Sequence, residues 1–312
     1  MAREVIFRSE MMGARLHLGG PPIELSDYVT TGLLAVAVAQ RGMGKTGAGL
    51  LMAEQLSEQG WVSVLIDPEG ELASLYGDAV DSADRLHDLL VSREQPILVV
   101  SAKDADEFIP YGETILAVAE EHRKPVFVVV DEGQLFSASK KKEIAQAAHI
   151  INQMGERGRK RALDLFVTAL RYTDSLHRSV FTNKNLTLVG GQGDPIAWSA
   201  LAPQFRSSKL DFGDLQALST GEFFCFSPRG VEKVRMPMAA ALERVAPKAK
   251  AVKRALPVSF SQWDRAMREM PKERLQALTE PVIHLLGAVA GLSTERLVAG
   301  TRALQDELEC RP

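Results

Sequence analysis

From Leu33 onward the chain alternates short, almost wholly apolar runs with segments whose apolar residues recur every three or four positions. The apolar runs are LLAVAVA, WVSVLID, PILVVSA, PVFVVVDE and DLFVTAL, and helical patterns through MAEQLSEQG, SADRLHDLLVS, ETILAVAEEH and IAQAAHIINQMGERG separate them. Runs apolar at nearly every position predict strands covered on both faces, and their alternation with helices predicts βαβ units and a mainly parallel sheet flanked by helices. The segment 221-GEFFCFSPRGVEKVRMP-237 breaks this rhythm and predicts an antiparallel hairpin closing the sheet's edge. Ahead of the first apolar run, EVIFRS and ARLHLGG alternate apolar with polar residues and meet Gly19-Gly20-Pro21-Pro22, which predicts a short β-rich segment over residues 1–30. The main α/β domain spans 31–238, a basic linker 239–260, and a small helical appendage 261–312, broken at Pro271 and Pro281.

The first apolar run leads into 35-AVAVAQRGMGKTGAGLL-51, which carries the glycine, lysine and hydroxyl of the phosphate-binding pattern GxxxxGK[ST], with Ala39 in place of its first glycine. A glycine-rich turn between a buried strand and a helix directs backbone N–H groups and the helix dipole at phosphate oxygens. The candidate nucleotide-binding residues are therefore Gln40, Arg41, Gly42, Met43, Gly44, Lys45, Thr46 and Gly47, with Lys45 reaching the β and γ phosphates of ATP. The run 126-VFVVVDE-132 supplies the second element: Asp131 at the strand's tip joins Thr46 as a Mg²⁺ ligand, and Glu132 polarises an attacking water. An acidic pair in this position distinguishes NTPases with an in-built base from kinases and GTPases. In such enzymes the strand 164-DLFVTAL-170 lies between the other two, with Thr168, Leu170 and Arg171 at its end.

Five motifs in order, GMGKT, 66-IDPEGEL-72, VVVDEGQLF, ERGRKRALDLFVTALR and 218-LSTGEFFCFSPRG-230, make residues 15–237 resemble the HerA and FtsK superfamily of hexameric DNA-pumping ATPases. The resemblance implies a RecA-like P-loop core and a homo-oligomeric, hexameric ring with ATP between subunits. It also implies an arginine ahead of the fourth core strand that completes the neighbour's site: Arg159 by position, with Arg157 and Arg161 as alternatives. Ala39, Arg41 inside the loop, and Leu170 where the superfamily carries a phosphate-sensing glutamine depart from the pattern. Arg41 either adds a phosphate contact or obstructs one, Thr168 and Arg171 are the polar substitutes for Leu170, and the departures together favour slow hydrolysis. On this resemblance, only a vestige of the superfamily's N-terminal barrel is expected before residue 30, as in compact packaging or defence ATPases.

Charge narrows the partners. A net charge of −3 excludes a protein whose whole surface binds nucleic acid, so contact with double-stranded DNA falls to local clusters, one from Lys140, Lys141 and Lys142 to Arg161, the other over 244-RVAPKAKAVKRALP-257. Two cysteines, Cys225 and Cys310, with no ligand at metal spacing, disfavour a zinc site or disulfide framework, and the charged N-terminus and lack of a long apolar stretch point to a cytoplasmic protein with no membrane span. The leading expectation is a ring ATPase that translocates double-stranded DNA. The alternatives are a nucleotide-switched platform recruiting an effector such as a nuclease, a viral genome-packaging ATPase, and a monomeric kinase-like P-loop enzyme. The C-terminal helices read as a subunit or partner contact, since Glu295, Asp306 and Glu307 suit a DNA-recognition helix poorly.

Overall fold

The computed structural model describes residues 13–137, 144–171, 176–206, 208 and 210–245. The linker beyond residue 245, the C-terminal helical pattern, and Lys140, Lys141 and Lys142 lie outside the described residues. Strands β1 (Arg15–Leu16) and β2 (Ile23–Glu24) pair antiparallel and dock on the helix that follows the first core strand, where Arg15 and His17 donate backbone N–H groups to Gln59 and Gln55. The elements that follow are β3 (Leu34–Val38), α1 (Lys45–Glu58), β4 (Val62–Asp67), α2 (Ala73–Tyr76), α3 (Ala83–Ser92), β5 (Ile97–Ser101), α4 (Ala105–His122), β6 (Val126–Val130), α5 (Gln134–Ser137), α6 (Ala145–Arg161) and β7 (Leu163–Ala169). After them come α7 (Arg178–Asn183), β8 (Leu186–Gly190), α8 (Pro195–Phe205), α9 (Phe212–Gln216), β9 (Glu222–Ser227), β10 (Gly230–Arg235) and α10 (Ala240–Val245).

The eight-stranded sheet has the order β10-β9-β8-β3-β7-β6-β4-β5, parallel throughout except for the antiparallel β9 and β10 at one edge. This is the mainly parallel sheet with an antiparallel edge hairpin that the patterning predicts. Successive strand residues face opposite sides, and the composition of each side decides what packs there. Leu34, Val36 and Val38 of β3 join Leu86, Phe108, Ile115 and Ile150 of α3, α4 and α6. Ala35, Ala37 and Ala39 face the other way, and their small side chains leave room for Leu50, Met52, Ala53 and Leu56 of α1. A third cluster, Val189, Leu201, Phe205, Leu215 and Phe224, seats α8 and α9 at the antiparallel end.

Two differences from the patterning stand out. Helix α4 starts at Ala105, ahead of the expected ETILAV segment, because Asp104 caps it by accepting from the N–H groups of Asp106 and Glu107. Pro110 falls inside that helix, where its missing N–H costs one hydrogen bond without ending the helix. The elements α7, β8, α8 and α9 have no counterpart in the pattern of apolar runs. Among the described residues, no helix is long and apolar enough to cross a membrane.

Candidate functional site

Strand order brings the candidate residues together. Strand β7 lies between β3 and β6, with Val38 paired to Ala169 and Val167 to Val130, so the segments that follow β3 and β6 emerge side by side at the sheet's C-terminal edge. The loop after β3 turns through Gly42 (φ 76°) and Gly44 (φ 94°), the left-handed conformations that glycine adopts without a Cβ penalty. Ala39 is not among the positive-φ residues; it directly follows β3, fully buried, and its N–H donates to Ala169 O at 3.4 Å. The glycine missing from the loop has a counterpart on β8: a Cβ on Gly190 would lie 2.7 Å from the Cβ of Ala39.

A turn far away in sequence backs the loop. Gly221 N–H donates to Met43 O at 3.0 Å, Thr220 Oγ1 donates to Gly42 O at 3.3 Å, and on the other flank Gln40 N–H donates to Gly191 O at 3.2 Å. Met43 fills the gap between two of the hydrophobic clusters. The motif LSTGEF thus supports the loop, a role that its sequence does not announce; the double glycine of LVGGQG, closing an apolar run, is the signal for the other support.

Lys45 Nζ, half-buried, donates to the carbonyls of Ala39 and Gln40 at 3.0 and 3.1 Å. Burial holds its pKa below the ordinary lysine value, opposed by the nearby charges of Asp131 and Glu132 and reinforced by Arg41. The Thr46 hydroxyl donates to Asp131 Oδ2 at 2.8 Å, across 85 residues of sequence. The other oxygen, Asp131 Oδ1, accepts from the Thr168 hydroxyl at 2.7 Å, and Thr168 Oγ1 in turn accepts the Glu132 N–H at 2.9 Å. Glu132 stands in the left-handed backbone region at φ 47°, uncommon for a residue with a Cβ. Arg41 Nη2 approaches Glu132 Oε1 to 3.8 Å from a largely exposed position.

A cavity of about 680 Å³ lies beside these groups, in the size range of ordinary ligand pockets, lined by Thr46, Gly47, Asp131 and Glu132 on one side and by the IDPEGEL turn and Leu242 on the other. The turn is closed by the buried Asp67, whose carboxylate accepts from Gly70 N–H at 3.0 Å and Leu72 N–H at 2.7 Å. Leu242 reaches the cavity because Glu54 of α1 accepts the N–H groups of Ala240 and Ala241 and so seats α10. Thr46 and Asp131 offer a hydroxyl and a carboxylate already in contact, the hard oxygen donors that suit Mg²⁺.

The arginines ahead of β7 sit elsewhere. Arg159 belongs to the last turn of α6, which delivers the chain to the start of β7, whereas the phosphate loop lies at that strand's end. A seven-residue strand at about 3.3 Å per residue separates them by about 20 Å. Arg157 is exposed; Arg161 is nearly buried and its guanidinium is held by Glu120. Of the alternatives, Arg161 is therefore tied into its own subunit. At the tip of β7, Leu170 is half-buried and Arg171 exposed, and the polar Gln192, buried at the end of β8, donates to Leu170 O at 3.5 Å.

No protein-family model matches the sequence, and no curated protein matches it. In fold, the chain is similar to the genome-packaging NTPase B204 of Sulfolobus turreted icosahedral virus 2. Its complex with ATP-gammaS superposes with a TM-score of 0.53 at 14% identity, covering 67% of this chain and 98% of that one, and its AMPPCP complex with 0.52 at 15%, covering 67% and 99%. ATPases 2 and 3 of Thermomonospora curvata EccC, solved with a signal sequence peptide, give 0.50 at 13% identity over 73% of this chain and 41% of that one. The fold is the RecA-like α/β core of P-loop ATPases.

Proposed function

We propose that this chain is a Mg²⁺-dependent ATPase of the HerA and FtsK type that assembles as a hexameric ring and couples ATP hydrolysis to translocation of double-stranded DNA. The observation that carries the reading is the convergence of Thr46, Asp131 and Glu132 on one cavity at the C-terminal ends of β3 and β6, with Lys45 adjacent to Thr46 in the loop and within the field of both carboxylates. Lys45 and the N–H groups of Arg41, Gly42 and Gly44 to Gly47 bind the phosphates, since those of Gln40 and Met43 are given to Gly191 O and Gln40 O. Thr46 and Asp131 hold Mg²⁺, which when bound neutralises charge on the phosphate oxygens. Glu132 orients the attacking water and takes its proton.

The position of Arg159 in the chain supports the ring. About 20 Å from its own phosphate loop, Arg159 is too remote to serve its own subunit's nucleotide, and in a neighbour's site its positive charge would stabilise the transferring phosphoryl group. The likeness in fold to a genome-packaging NTPase supports DNA as the substrate moved and a packaging role as one setting for it. Arg157 and Lys160 are exposed on α6 and, with Lys140, Lys141 and Lys142, form the basic segment for a sequence-independent phosphate contact in the pore.

The test is ATP hydrolysis with and without duplex DNA across a salt series. Stimulation that falls steeply with salt and ignores sequence is expected, and removing the charges of Lys140, Lys141 and Lys142 flattens the slope by up to about 0.9 for each phosphate left unneutralised. A protein that hydrolyses ATP in a ring but neither binds nor responds to DNA supports the second reading, a nucleotide-switched platform that recruits an effector such as a nuclease. The apolar Leu170 at the tip of β7 and the net charge of −3 favour that reading.

A further inference from the structure

We propose that Thr168 is the residue that positions both the metal-binding carboxylate and the general base, a role that rests on the ATPase reading above. Its side chain is fully buried on the face of β7 that also carries Asp164 and Phe166, turned toward α1. From there a single hydroxyl makes two bonds. It donates to Asp131 Oδ1 at 2.7 Å and accepts the Glu132 N–H at 2.9 Å, while the carbonyl of the same residue accepts the Gly133 N–H at 2.9 Å. Three consecutive residues of the acidic turn are thereby fixed to one residue of the neighbouring strand.

The chemistry of the hydroxyl excludes a direct sensing role. A threonine has one O–H, and here it is given to Asp131, so no donor is left for a phosphate oxygen. What the residue does instead is orient. With Thr46 on Oδ2 and Thr168 on Oδ1, the Asp131 carboxylate is held at both oxygens. Glu132 stands at a backbone conformation that persists only where the surroundings impose it, and its anchored N–H is one of those constraints. Removing the hydroxyl leaves a part-buried N–H without its acceptor and leaves the carboxylate held at Oδ2 alone.

Thr168→Val keeps the side chain's shape and deletes only the hydroxyl, whereas Thr168→Ser keeps the hydroxyl. Two measurements are needed: kcat and KM for ATP, and binding of a fluorescent ATP analogue across a Mg²⁺ titration and in EDTA. For Thr168→Val, kcat falls about 10–100-fold and the Mg²⁺ concentration for half-maximal analogue binding rises by a similar factor, the effect of losing an outer-shell partner of a metal ligand. Analogue binding in EDTA stays at the wild-type level, and Thr168→Ser recovers most of both losses. A valine variant with wild-type kcat and Mg²⁺ requirement overturns the assignment, and so does a serine variant impaired as much as the valine. Should the valine variant not fold, Thr168→Cys replaces it, because a thiol of similar size is a poor donor and acceptor; equal Mg²⁺ requirements for Cys and Ser then overturn the proposal. A wild-type protein without Mg²⁺-dependent nucleotide binding defeats the ATPase reading itself, a result distinct from all of these.

Discussion

Asp164 is a carboxylate in the middle of the sheet, wholly buried, accepting from Leu33 N–H at 2.8 Å through Oδ1 and from Trp61 Nε1–H at 2.9 Å through Oδ2. It pins the entrances of β3 and β4 to β7, the strand that carries Thr168. Burial pushes its pKa up from 3.8 to about 6, and the two hydrogen bonds pull the other way without prevailing. The folded state therefore holds this proton more tightly than the unfolded chain. Its contribution to stability is fully present below about pH 3.8 and is lost as the pH rises to about 6. The full difference is about 3 kcal/mol, of which about 2 kcal/mol falls between about pH 4.5 and about pH 7.5.

Asp164→Asn removes the titration and also one acceptor, since its amide NH₂ must face one of the two donors. At neutral pH the variant is less stable by about 1–3 kcal/mol. Urea unfolding of both proteins, followed by tryptophan fluorescence at several pH values, isolates the group because all other titrations cancel in the difference. The gap between wild type and variant widens by about 2 kcal/mol on acidification from about pH 7.5 to about pH 4.5. A gap that is constant with pH, or that narrows, refutes burial as the dominant influence on this carboxylate.

The remaining predictions concern the nucleotide site. Lys45→Ala abolishes ATP binding, whereas Glu132→Gln retains binding and loses about 10²–10⁴-fold in turnover, read by analogue binding and phosphate release; wild-type turnover in the glutamine variant removes Glu132 as the base. Arg159→Ala suppresses hydrolysis with ATP affinity unchanged, and mixing it with Glu132→Gln subunits recovers part of the activity, because some interfaces then pair an intact arginine with an intact base. Absence of recovery at every mixing ratio means that each chain completes its own site. Gly190→Ala destabilises by about 1–3 kcal/mol because its Cβ would lie 2.7 Å from that of Ala39, and Ala39→Gly in the same chain recovers part of the loss in urea midpoint. Strict additivity of the two substitutions excludes the clash as the cause.

What the sequence alone determines here is local. Wholly apolar runs such as VFVVV identify the buried parallel strands, because a strand covered on both faces has no position for a polar side chain to reach water. The phosphate loop is legible because its chemistry demands glycine, lysine and hydroxyl at adjacent positions, and Gly42 and Gly44 do adopt the backbone angles that only glycine takes freely. The stretch from 171 to 220 is not legible in the same way. LTLVG is too short a run to distinguish from a loop, and PIAWSALAPQF carries Pro203 inside the helix it forms.

The motifs pair Thr46 with Asp131 and imply a strand between theirs, but the contacts themselves come from tertiary structure. Thr46 meets Asp131, and Thr168 meets both Asp131 and Glu132, only because β7 inserts between β3 and β6, an order that strand patterning does not encode. The same holds for Arg161, which reads as one of several exposed basic residues until α4 brings Glu120 beside it. Ala39 looks like a defect in the loop motif until β8 places Gly190 opposite, so that the space a glycine would provide comes from the neighbouring strand. Propensity and periodicity act over a few residues and fix what each segment is. Which segments lie side by side depends on how the two faces of the sheet bury their apolar surface together, a property of the whole chain that no single segment carries.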